Sequence, residues 1–559
     1  MKKIYFLFFL LAAAFSSQSQ WTKNTSTNTL VANKDASDIQ TGNTKDGRTW
    51  IAFYSQRGAN YDMRAQLLNQ NGKRIFGDTG ILVSNKKSGS ATFVFNVCVD
   101  NDNNLIIAYQ IAKGSTYECI MQKINTSGQL LWTANGVDLG GGLAPYPTTL
   151  STNEIAVAWN DNSGKIDYQK ISADGNAAWT SPKVFTGSGT HSVSRGQLVA
   201  GTNGNFSMVY QDQFSAPFYT HLFAQKFDNN GVAVWATPVQ ISTLTTVSYR
   251  YFDVINEKDT TYVGYYGNPS SSNRFNAYVQ RINADGSLPY GINGSVFSNQ
   301  TGTNDPYQQT IYIAKSPGTY YVWGVCTFTN PLQTESGVYF QKFEASRGLP
   351  TFDPSAKEIL PISANLYTLA FSQLSLCDDN PVFLVTSANN KLAACKLKGG
   401  LNGDGSFVWP TKLVALGSTK NTKFRYGFTN FYKGQAVAVW QEDKGDGNKP
   451  YAQNIKCDGS TGPVDTSFYK PVIAENSLSI KTIYPNPVVN VLMATVNSSV
   501  QGKSKIYVTD VNGNVLKQTE QNFQKGDNSI QLNVSTIKPG SYFIKVNNDS
   551  GSASAIFNK

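Results

Sequence analysis

The two histidines, His191 and His221, are the first residues to consider for acid–base or metal chemistry, because the chain contains no others. A zinc site or a Ser-His-Asp triad needs several such groups in a recognisable arrangement. Neither histidine lies in an H-x-x-x-H or similar spacing. We therefore predict that both are turn or surface residues, that the chain has no catalytic, cofactor-binding or metal-ligating residue, and that it is not an enzyme.

Two acidic segments resemble ligand loops of other proteins. Residues 100–104, Asp-Asn-Asp-Asn-Asn, begin like a calcium loop but lack the glycine and the later carboxylate that such a loop needs. Residues 172–179 resemble the Asp-box of sialidase propellers, although Gly175 directly follows Asp174, one position too early. Both segments are predicted to be ordinary β-turns.

These candidate residues must be positioned by the elements of a sequence repeat. A segment centred on glutamine, such as Tyr168-Gln169-Lys170-Ile171, occurs eight times, once with cysteine in place of the glutamine. The central positions are 47 to 61 residues apart and are Gln66, Gln122, Gln169, Gln225, Gln280, Gln341, Cys395 and Gln453. A period of this length is typical of a propeller blade or a similar β-repeat.

Each repeat contains the signals of four short strands. A turn follows the central segment, as at Asp174-Gly175, and its glycine supplies the positive φ of a tight hairpin. An aromatic residue such as Trp179 comes next, and apolar strands such as 155–159 come before. With no helical periodicity, the pattern predicts an all-β fold, an eight-bladed β-propeller over residues 20–470, with seven blades as the alternative.

The N-terminal segment is predicted to close the ring. The last repeat continues from Gly459 to Pro463 without an aromatic residue, whereas Trp21 stands near the start of the chain. Residues 29–32, Thr-Leu-Val-Ala, match the strand that follows the turn in other repeats. We expect residues 21–33 to pair with the strand at 451–457.

The six cysteines show no disulfide spacing pattern and are predicted to be small core residues: Cys98, Cys119, Cys326, Cys377, Cys395 and Cys457. Cys98 and Cys119 fall on the first and third strands of one repeat, and Cys377 and Cys395 repeat that placement. Such strands lie ~9.5 Å apart, beyond the ~7 Å Cα limit for a disulfide. Neither same-repeat pair should be bridged.

A different pattern begins near residue 480. It contains Tyr-Pro-Asn-Pro at 484–487, a hairpin with Asp510 and Gly513, and an Ile-x-x-Gly-x-Tyr element at 537–542. Short alternating strands separated by Asn-Gly and Pro-Gly turns predict a small immunoglobulin-like β-sandwich. The order of these motifs closely resembles the type A C-terminal sorting domain of the type IX secretion system, over residues 480–559, and residues 471–479 are the predicted linker.

That resemblance implies sorting-signal residues and partners. The residues that match the motif are Tyr484, Pro485, Asn486, Pro487, Asp510, Gly513, Gly540, Tyr542 and Lys559. The implied partners are the type IX translocon and its outer-membrane shuttle and sortase components. The repeats themselves resemble those of secreted propellers of the Bacteroidetes.

The start of the chain and its charge fit this route. Lys2 and Lys3, an apolar stretch and a small polar run predict a signal peptide over residues 1–19, and no later segment is apolar enough to span a membrane. The net charge of +10 is scattered along the chain, which argues against nucleic-acid binding. The protein is therefore expected at the cell surface or in the medium, after passage through the periplasm.

Two functions of different class remain for the propeller. The first is a non-catalytic module for binding or adhesion, with a surface glycan or another surface protein as partner or with a role in gliding. The alternative is a secreted carbohydrate-active hydrolase with its site at the propeller channel.

Overall fold

The computed structural model describes residues 21–86, 94–134, 136–189, 191–214, 219–247, 252–269, 274–300, 304–352, 354–400, 402–464, 478–498, 500–511, 514–548 and 551–559. The predicted signal peptide lies outside these ranges, as do residues 471–477 of the predicted linker. Contacts divide the chain into two units, residues 1–466 and 467–559.

All regular elements of the described residues are β-strands, so the predicted all-β class is confirmed. Within the same ranges, no helix has the length and apolar character needed to cross a bilayer.

Over its described residues, the first unit contains eight antiparallel sheets, here called blades 1 to 8, one for each sequence repeat. Strand β1 (Thr29–Leu30) comes first. Blade 1 comprises β2 (Ile39–Asn43), β3 (Thr49–Arg57), β4 (Asn60–Leu68) and β5 (Ile81–Ser84), and blade 2 comprises β6 (Phe95–Val99), β7 (Leu105–Lys113), β8 (Thr116–Ile124) and β9 (Val137–Gly141). Blade 3 comprises β10 (Leu143–Thr149), β11 (Ile155–Asn160), β12 (Ile166–Ile171) and β13 (Lys183–Phe185), and blade 4 comprises β14 (Val193–Ala200), β15 (Phe206–Gln213), β16 (Tyr219–Phe227), β17 (Val239–Gln240) and β18 (Thr246–Val247).

Blades 5 to 8 follow the same order. Blade 5 comprises β19 (Asp253–Glu257), β20 (Thr260–Gly267), β21 (Asn276–Ile282) and β22 (Ser295–Val296), and blade 6 comprises β23 (Tyr307–Ala314), β24 (Tyr321–Thr329), β25 (Ser336–Glu344) and β26 (Lys357–Ser363). Blade 7 comprises β27 (Thr368–Leu369), β28 (Ser375–Cys377), β29 (Asn380–Thr386), β30 (Leu392–Lys396) and β31 (Val414–Gly417), and blade 8 comprises β32 (Lys423–Phe428), β33 (Gln435–Asp443) and β34 (Asn448–Lys456).

The sheets form a closed ring. Each blade is an antiparallel meander, and the first strand of each lies on the inner side, beside the neighbouring blades. Strand β1 completes blade 8, with Thr29 opposite Ala452 and Leu30 opposite Tyr451. The predicted pairing of residues 21–33 with 451–457 is therefore confirmed. Apolar side chains from adjacent blades share cores, as expected when each sheet hides its faces against the next.

The repeated glutamine is buried and satisfies backbone groups of its own blade. In blade 3, the Gln169 amide donates to the Trp179 carbonyl at 2.9 Å, and its Oε1 accepts from the Lys170 N–H at 2.9 Å. The same two bonds recur at Gln66, Gln122, Gln225, Gln280 and Gln341. The amide carries its donor and its acceptor on separate atoms of one planar group and so makes both bonds at once, which explains why glutamine marks the repeat.

Neighbouring blades are joined at the turn that follows this glutamine. In blade 3 the Ala173 carbonyl accepts from Trp132 Nε1 at 3.2 Å and from Lys123 Nζ at 3.4 Å, both of blade 2. The equivalent acceptors are the carbonyls of Asn229, Ala284, Ala345, Gly403 and Cys457. The aromatic ring covers the turn glycine, since a Cβ on Gly175 would lie 2.6 Å from Cδ1 of Trp132. We call this side of the ring the turn face.

Trp21 supplies the missing aromatic residue of blade 8. Its Nε1 donates to the Gln70 carbonyl of blade 1 at 2.8 Å, and its ring covers Gly72. The side chain is 2% exposed. The N-terminal segment therefore repeats, across the point where the ring closes, the contact that joins the other blades.

One disulfide joins blades 7 and 8. Cys377 and Cys457 are bonded, with their Cα atoms 5.9 Å apart. The prediction of isolated cysteines is wrong for this pair, because the ring brings together residues that are 80 positions apart in sequence. The remaining cysteines are free, so the expectation that neither same-repeat pair is bridged is confirmed.

The second unit is a sandwich of two antiparallel sheets. Its strands are β35 (Leu478–Tyr484), β36 (Val491–Ser498), β37 (Gly502–Thr509), β38 (Val515–Phe523), β39 (Gly526–Asn533), β40 (Ser541–Asn548) and β41 (Gly551–Asn558). One sheet has the order β35-β36-β39 and the other β38-β37-β40-β41. Buried Leu492, Val496, Ile506 and Ile544 are part of one core shared by both sheets. The immunoglobulin-like assignment stays a prediction.

Candidate functional site

The predicted sorting-signal residues meet at one end of the sandwich. Asn486 Oδ1 accepts from the backbone N–H of Asn558 at 2.8 Å, which ties the Tyr484–Pro487 segment to the last strand. The Lys559 ammonium donates to the carbonyls of Val489 at 2.9 Å and Val534 at 2.6 Å. The C-terminal lysine thus holds together two loops that are far apart in the sequence.

Two further motif segments lie at the same end. Gly540 exchanges backbone hydrogen bonds with Lys559, and Tyr542 donates its hydroxyl to the Lys538 carbonyl at 2.8 Å. Asp510 begins a hairpin in which its carboxylate accepts from the Asn514 N–H at 2.9 Å. Of the predicted residues, Gly513 lies outside the described ranges. Because Thr509 is opposite Phe543 in the sheet, this hairpin is beside the Gly540 turn.

The two acidic segments considered in the sequence have structural contacts. The Asp100 carboxylate accepts from the backbone N–H groups of Asp102 and Asn104, and it forms an ion pair with Lys123 at 2.8 Å. Gly175 lies beneath Trp132 at the contact between blades. Both segments are turns, as predicted.

The structure also brings together residues that the sequence did not connect. His191 precedes the inner strand β14, Asp212 lies near the end of β15, and His221 lies near the start of β16, all in blade 4. Asp212 and His221 are directly opposite each other across the two strands, so their side chains share one face of the sheet. The turn at 228–231 follows the other end of β16. The cluster therefore lies on the side of the ring opposite the turn face, here called the loop face.

Asp212 is the centre of this cluster. Its side chain is 3% exposed, and its Oδ1 lies 2.9 Å from His191 Nδ1, whose side chain is 41% exposed. Oδ2 accepts from the Ser188 hydroxyl at 3.4 Å. Gly187 has a φ of 60°, and a Cβ there would lie 3.2 Å from Asp212 Oδ2, so a glycine permits the loop to approach the carboxylate. A buried carboxylate on one ring nitrogen fixes the orientation of the imidazole.

His221 and Tyr210 complete the cluster. Burial lowers the pKa of His221, although the Asp212 carboxylate acts in the opposite direction. Its ring stacks on Phe214 with centroids 3.8 Å apart. Burial raises the pKa of the Tyr210 phenol, and its hydroxyl is buried without a hydrogen-bond partner among the described residues. Such an orphan group costs free energy, and a ligand or a water molecule can satisfy it.

This arrangement can perform general acid–base chemistry. It holds an oriented, accessible imidazole beside a second imidazole that burial keeps uncharged at neutral pH. The prediction that both histidines are ordinary turn or surface residues rested on the absence of an H-x-x-x-H or similar spacing in the sequence. The register of β15 and β16 is what brings them together. Their signal in the sequence is that one repeat contains every histidine of the chain.

A family comparison identifies the tail. Residues 482–557 match the family described as the secretion system C-terminal sorting domain. The ring of blades and this tail define an exported β-propeller protein. The tail is a sorting domain of the type IX secretion system, and it directs the protein to the cell surface or the medium.

Solved structures resemble the chain at low identity. A polysaccharide lyase of the PL25 ulvan lyase family matches with a TM-score of 0.44 and 10% identity, over 79% of this chain and 98% of that chain. An α-L-arabinofuranosidase from Fusarium graminearum matches with a TM-score of 0.36 and 8% identity, over 78% and 99%. The Dos1 propeller matches with a TM-score of 0.42 and 11% identity, over 75% and 93%. No curated protein matches the sequence.

These matches correct one prediction. The chain was expected not to be an enzyme because it shows no catalytic motif, yet two of the matched chains are named as carbohydrate-cleaving enzymes. A missing motif therefore does not exclude catalysis here. At these identities the matches assign no reaction to this chain.

Proposed function

We propose that the exported propeller is a carbohydrate-active enzyme that cleaves extracellular polysaccharide by acid–base catalysis at the His191–Asp212–His221 cluster. The observation that supports it is that both histidines of the chain lie beside one buried carboxylate on the loop face. Loops carry most binding and catalytic residues on rigid scaffolds, and an exported protein meets polysaccharide outside the cell.

The three residues have different parts in this proposal. His221 is the base, because burial lowers its pKa and leaves the ring able to accept a proton at neutral pH. His191 is the more exposed ring, and its Nε2 gives a proton to the glycosidic oxygen as the bond from that oxygen to the sugar carbon breaks, while His221 takes a proton from the water that attacks that carbon. Asp212 is a positioning residue, since it contacts His191 Nδ1 and is itself buried. The Tyr210 hydroxyl, which has no hydrogen-bond partner among the described residues, is a polar group that bound sugar or water can satisfy.

Blade 8 offers matched controls for this site. The strands align through Gln225 and Gln453, and His221 and Lys449 each lie four positions before that glutamine. In the same way, His191 and Asn421 each lie two positions before the inner strand. Neither Lys449 nor Asn421 belongs to the cluster.

The experiment uses the full chain and a panel of neutral, carboxylated and sulfated polysaccharides, with new reducing ends as the readout. We expect cleavage of at least one polysaccharide and a loss of about 100-fold in His191→Ala and His221→Ala. Asn421→Ala and Lys449→Ala should cleave at the wild-type rate. Binding without cleavage across the panel, or a double histidine variant of wild-type activity, would refute the proposal.

A further inference from the structure

The sandwich exposes its large apolar side chains at one end. Among its described residues, those that are exposed are Tyr484, Val489, Val511, Val515, Leu516 and Ile556, from 47% to 74%. Each lies within three positions of a residue of the sorting motif, at the end where Asn486 contacts Asn558. A sandwich of this size hides apolar groups in its core, so a cluster of exposed ones indicates an interaction site.

Strand register places part of this cluster in a continuous row. Val515 is opposite Thr509, Thr509 is opposite Phe543, and Phe543 is opposite Ile556. Directly opposed residues share a face, and Val515 and Ile556 are both 55% exposed. We call Val515, Phe543 and Ile556 the apolar row. It spans the sheet β38-β37-β40-β41 on its outer face, a width of ~14 Å, with the buried Thr509 as the β37 position and a register shift between β37 and β38 beside it.

The next row on the same face is polar. Gln518 is opposite Tyr507, Tyr507 is opposite Lys545, and Lys545 is opposite Ser554. The outer face therefore changes from polar to apolar along the strands. This change occurs toward the end that carries the sorting motif.

The charge of the domain favours one kind of partner. Residues 478–559 contain eight lysines, no arginine and four acidic residues. Lys505 and Lys545 lie on the outer face, because they alternate with the buried residues of β37 and β40. Lys545 is in the row next to the apolar row, and Lys505 is one row further away. A complementary surface has an apolar centre and acidic groups at its rim.

We propose that the apolar row, with the adjoining hairpin residues Val511 and Leu516, is the surface by which the sorting domain docks onto a receptor protein of the type IX machinery. A flat row across four strands fits a complementary protein surface. The hairpin of the motif presents two of the exposed side chains beside it. The proposal does not depend on the activity of the propeller.

Matched substitutions on the same strands test it. Ile556→Asp and Val515→Asp place a charge in the apolar row, whereas Ser554→Asp and Gln518→Asp place one in the polar row. The full chain is expressed in a host with the machinery, and the fraction outside the cell is compared with that in the periplasm. We expect export of the apolar-row variants to fall at least tenfold and that of the controls to change less than twofold. Wild-type export of both apolar-row variants would overturn the proposal.

A second measurement keeps the test informative if a charged variant fails to fold. A photo-crosslinking amino acid at position 556, with position 554 as control, leaves the rest of the chain unchanged. We expect position 556 to crosslink to a component of the type IX machinery, identified by mass spectrometry, and position 554 to crosslink at least fivefold less. Crosslinking of position 556 only to lipid, or only to a second copy of this chain, would refute the proposed occupant.

Discussion

Blades 4 and 8 carry a buried acid at the same place and surround it differently. Gln225 is opposite Met208 and Gln453 is opposite Ala438, so the strands align through these pairs. Four positions after Met208, blade 4 has Asp212, and four positions after Ala438, blade 8 has Glu442. The inner strands also correspond, because Val193 is opposite Asp212 and Lys423 is opposite Glu442. Asp212 and Glu442 therefore occupy equivalent positions in their blades.

In blade 8 the acid is fully neutralised by its neighbours. Glu442 is 0% exposed and accepts from Trp440 Nε1 at 2.8 Å, with Lys423 Nζ at 3.5 Å and Lys444 Nζ at 4.0 Å. These partners are two ammonium groups and an indole N–H donor, which suits a structural ion pair. The equivalent surroundings in blade 4 contain two histidines and a tyrosine whose hydroxyl has no partner among the described residues.

The comparison shows how one blade of a repeat fold can carry a candidate catalytic cluster where another carries a structural ion pair. The scaffold tolerates an acid at this position when cations surround it, as in blade 8. Replacing fixed cations by imidazoles keeps the acid partnered and makes the partners able to exchange protons near neutral pH. Among the described residues, most junctions between blades keep a carbonyl contact on the turn face, whereas blades 4 and 8 differ on the loop face.

The largest expected effect is on stability when each acid is neutralised. Glu442→Gln leaves the buried Lys423 and the partly buried Lys444 without their counter-charge, so we expect a loss of about 3–5 kcal/mol in the free energy of unfolding. Asp212→Asn replaces the partner of the His191 imidazole by an amide that can still form a hydrogen bond to it, so the expected loss is about 1 kcal/mol. Chemical denaturation of both variants checks this. Equal losses would show that the two acids have the same structural role.

The sequence predicted the scaffold better than it predicted the cluster. The glutamine repeat and the turn glycines are local signals, because each blade must satisfy its own backbone groups and accept a ring from its neighbour. Those signals also pointed to Trp21 as the closing residue. His191, Asp212 and His221 are instead brought together by strand register and loop path, which no local pattern encodes. The contact between Cys377 and Cys457 depends on ring geometry in the same way.

The next expected effect concerns the disulfide, which distinguishes blade 8 from blade 4. Cys457 belongs to the turn whose carbonyl accepts from Trp409 and Lys396 of blade 7, so the bond reinforces a contact that blade 4 makes without one. We expect the double variant Cys377→Ser, Cys457→Ser to lose about 2–4 kcal/mol, because the bond closes a long loop in the unfolded chain. Chemical denaturation measures the loss, and wild type treated with reductant should show the same one. The matched control is Cys326→Ser, which removes a free cysteine. Wild-type stability of the double variant would show that the bond does not stabilise the ring.

The smallest expected effect is the dependence of stability on pH at His221. Burial lowers the pKa of His221 in the folded protein below the usual value of 6.5, so the unfolded chain binds more protons in the window below that pH. Stability should therefore be fully present above about pH 6.5 and should fall as the pH is lowered toward the folded-state pKa. Because the ring is only half-buried and solvent screens it, we expect a change of about 1 kcal/mol or less. The measurement is thermal unfolding of wild type and of His221→Gln between about pH 5 and 7, a range around the pKa of ~6.5 of free histidine. The quantity compared is the stability that each protein loses over this range. The wild type should lose more stability than the variant, and Lys449→Gln in blade 8 should behave like wild type. A wild-type curve parallel to that of His221→Gln would show that His221 is not held uncharged, and it would remove the base from the proposed mechanism.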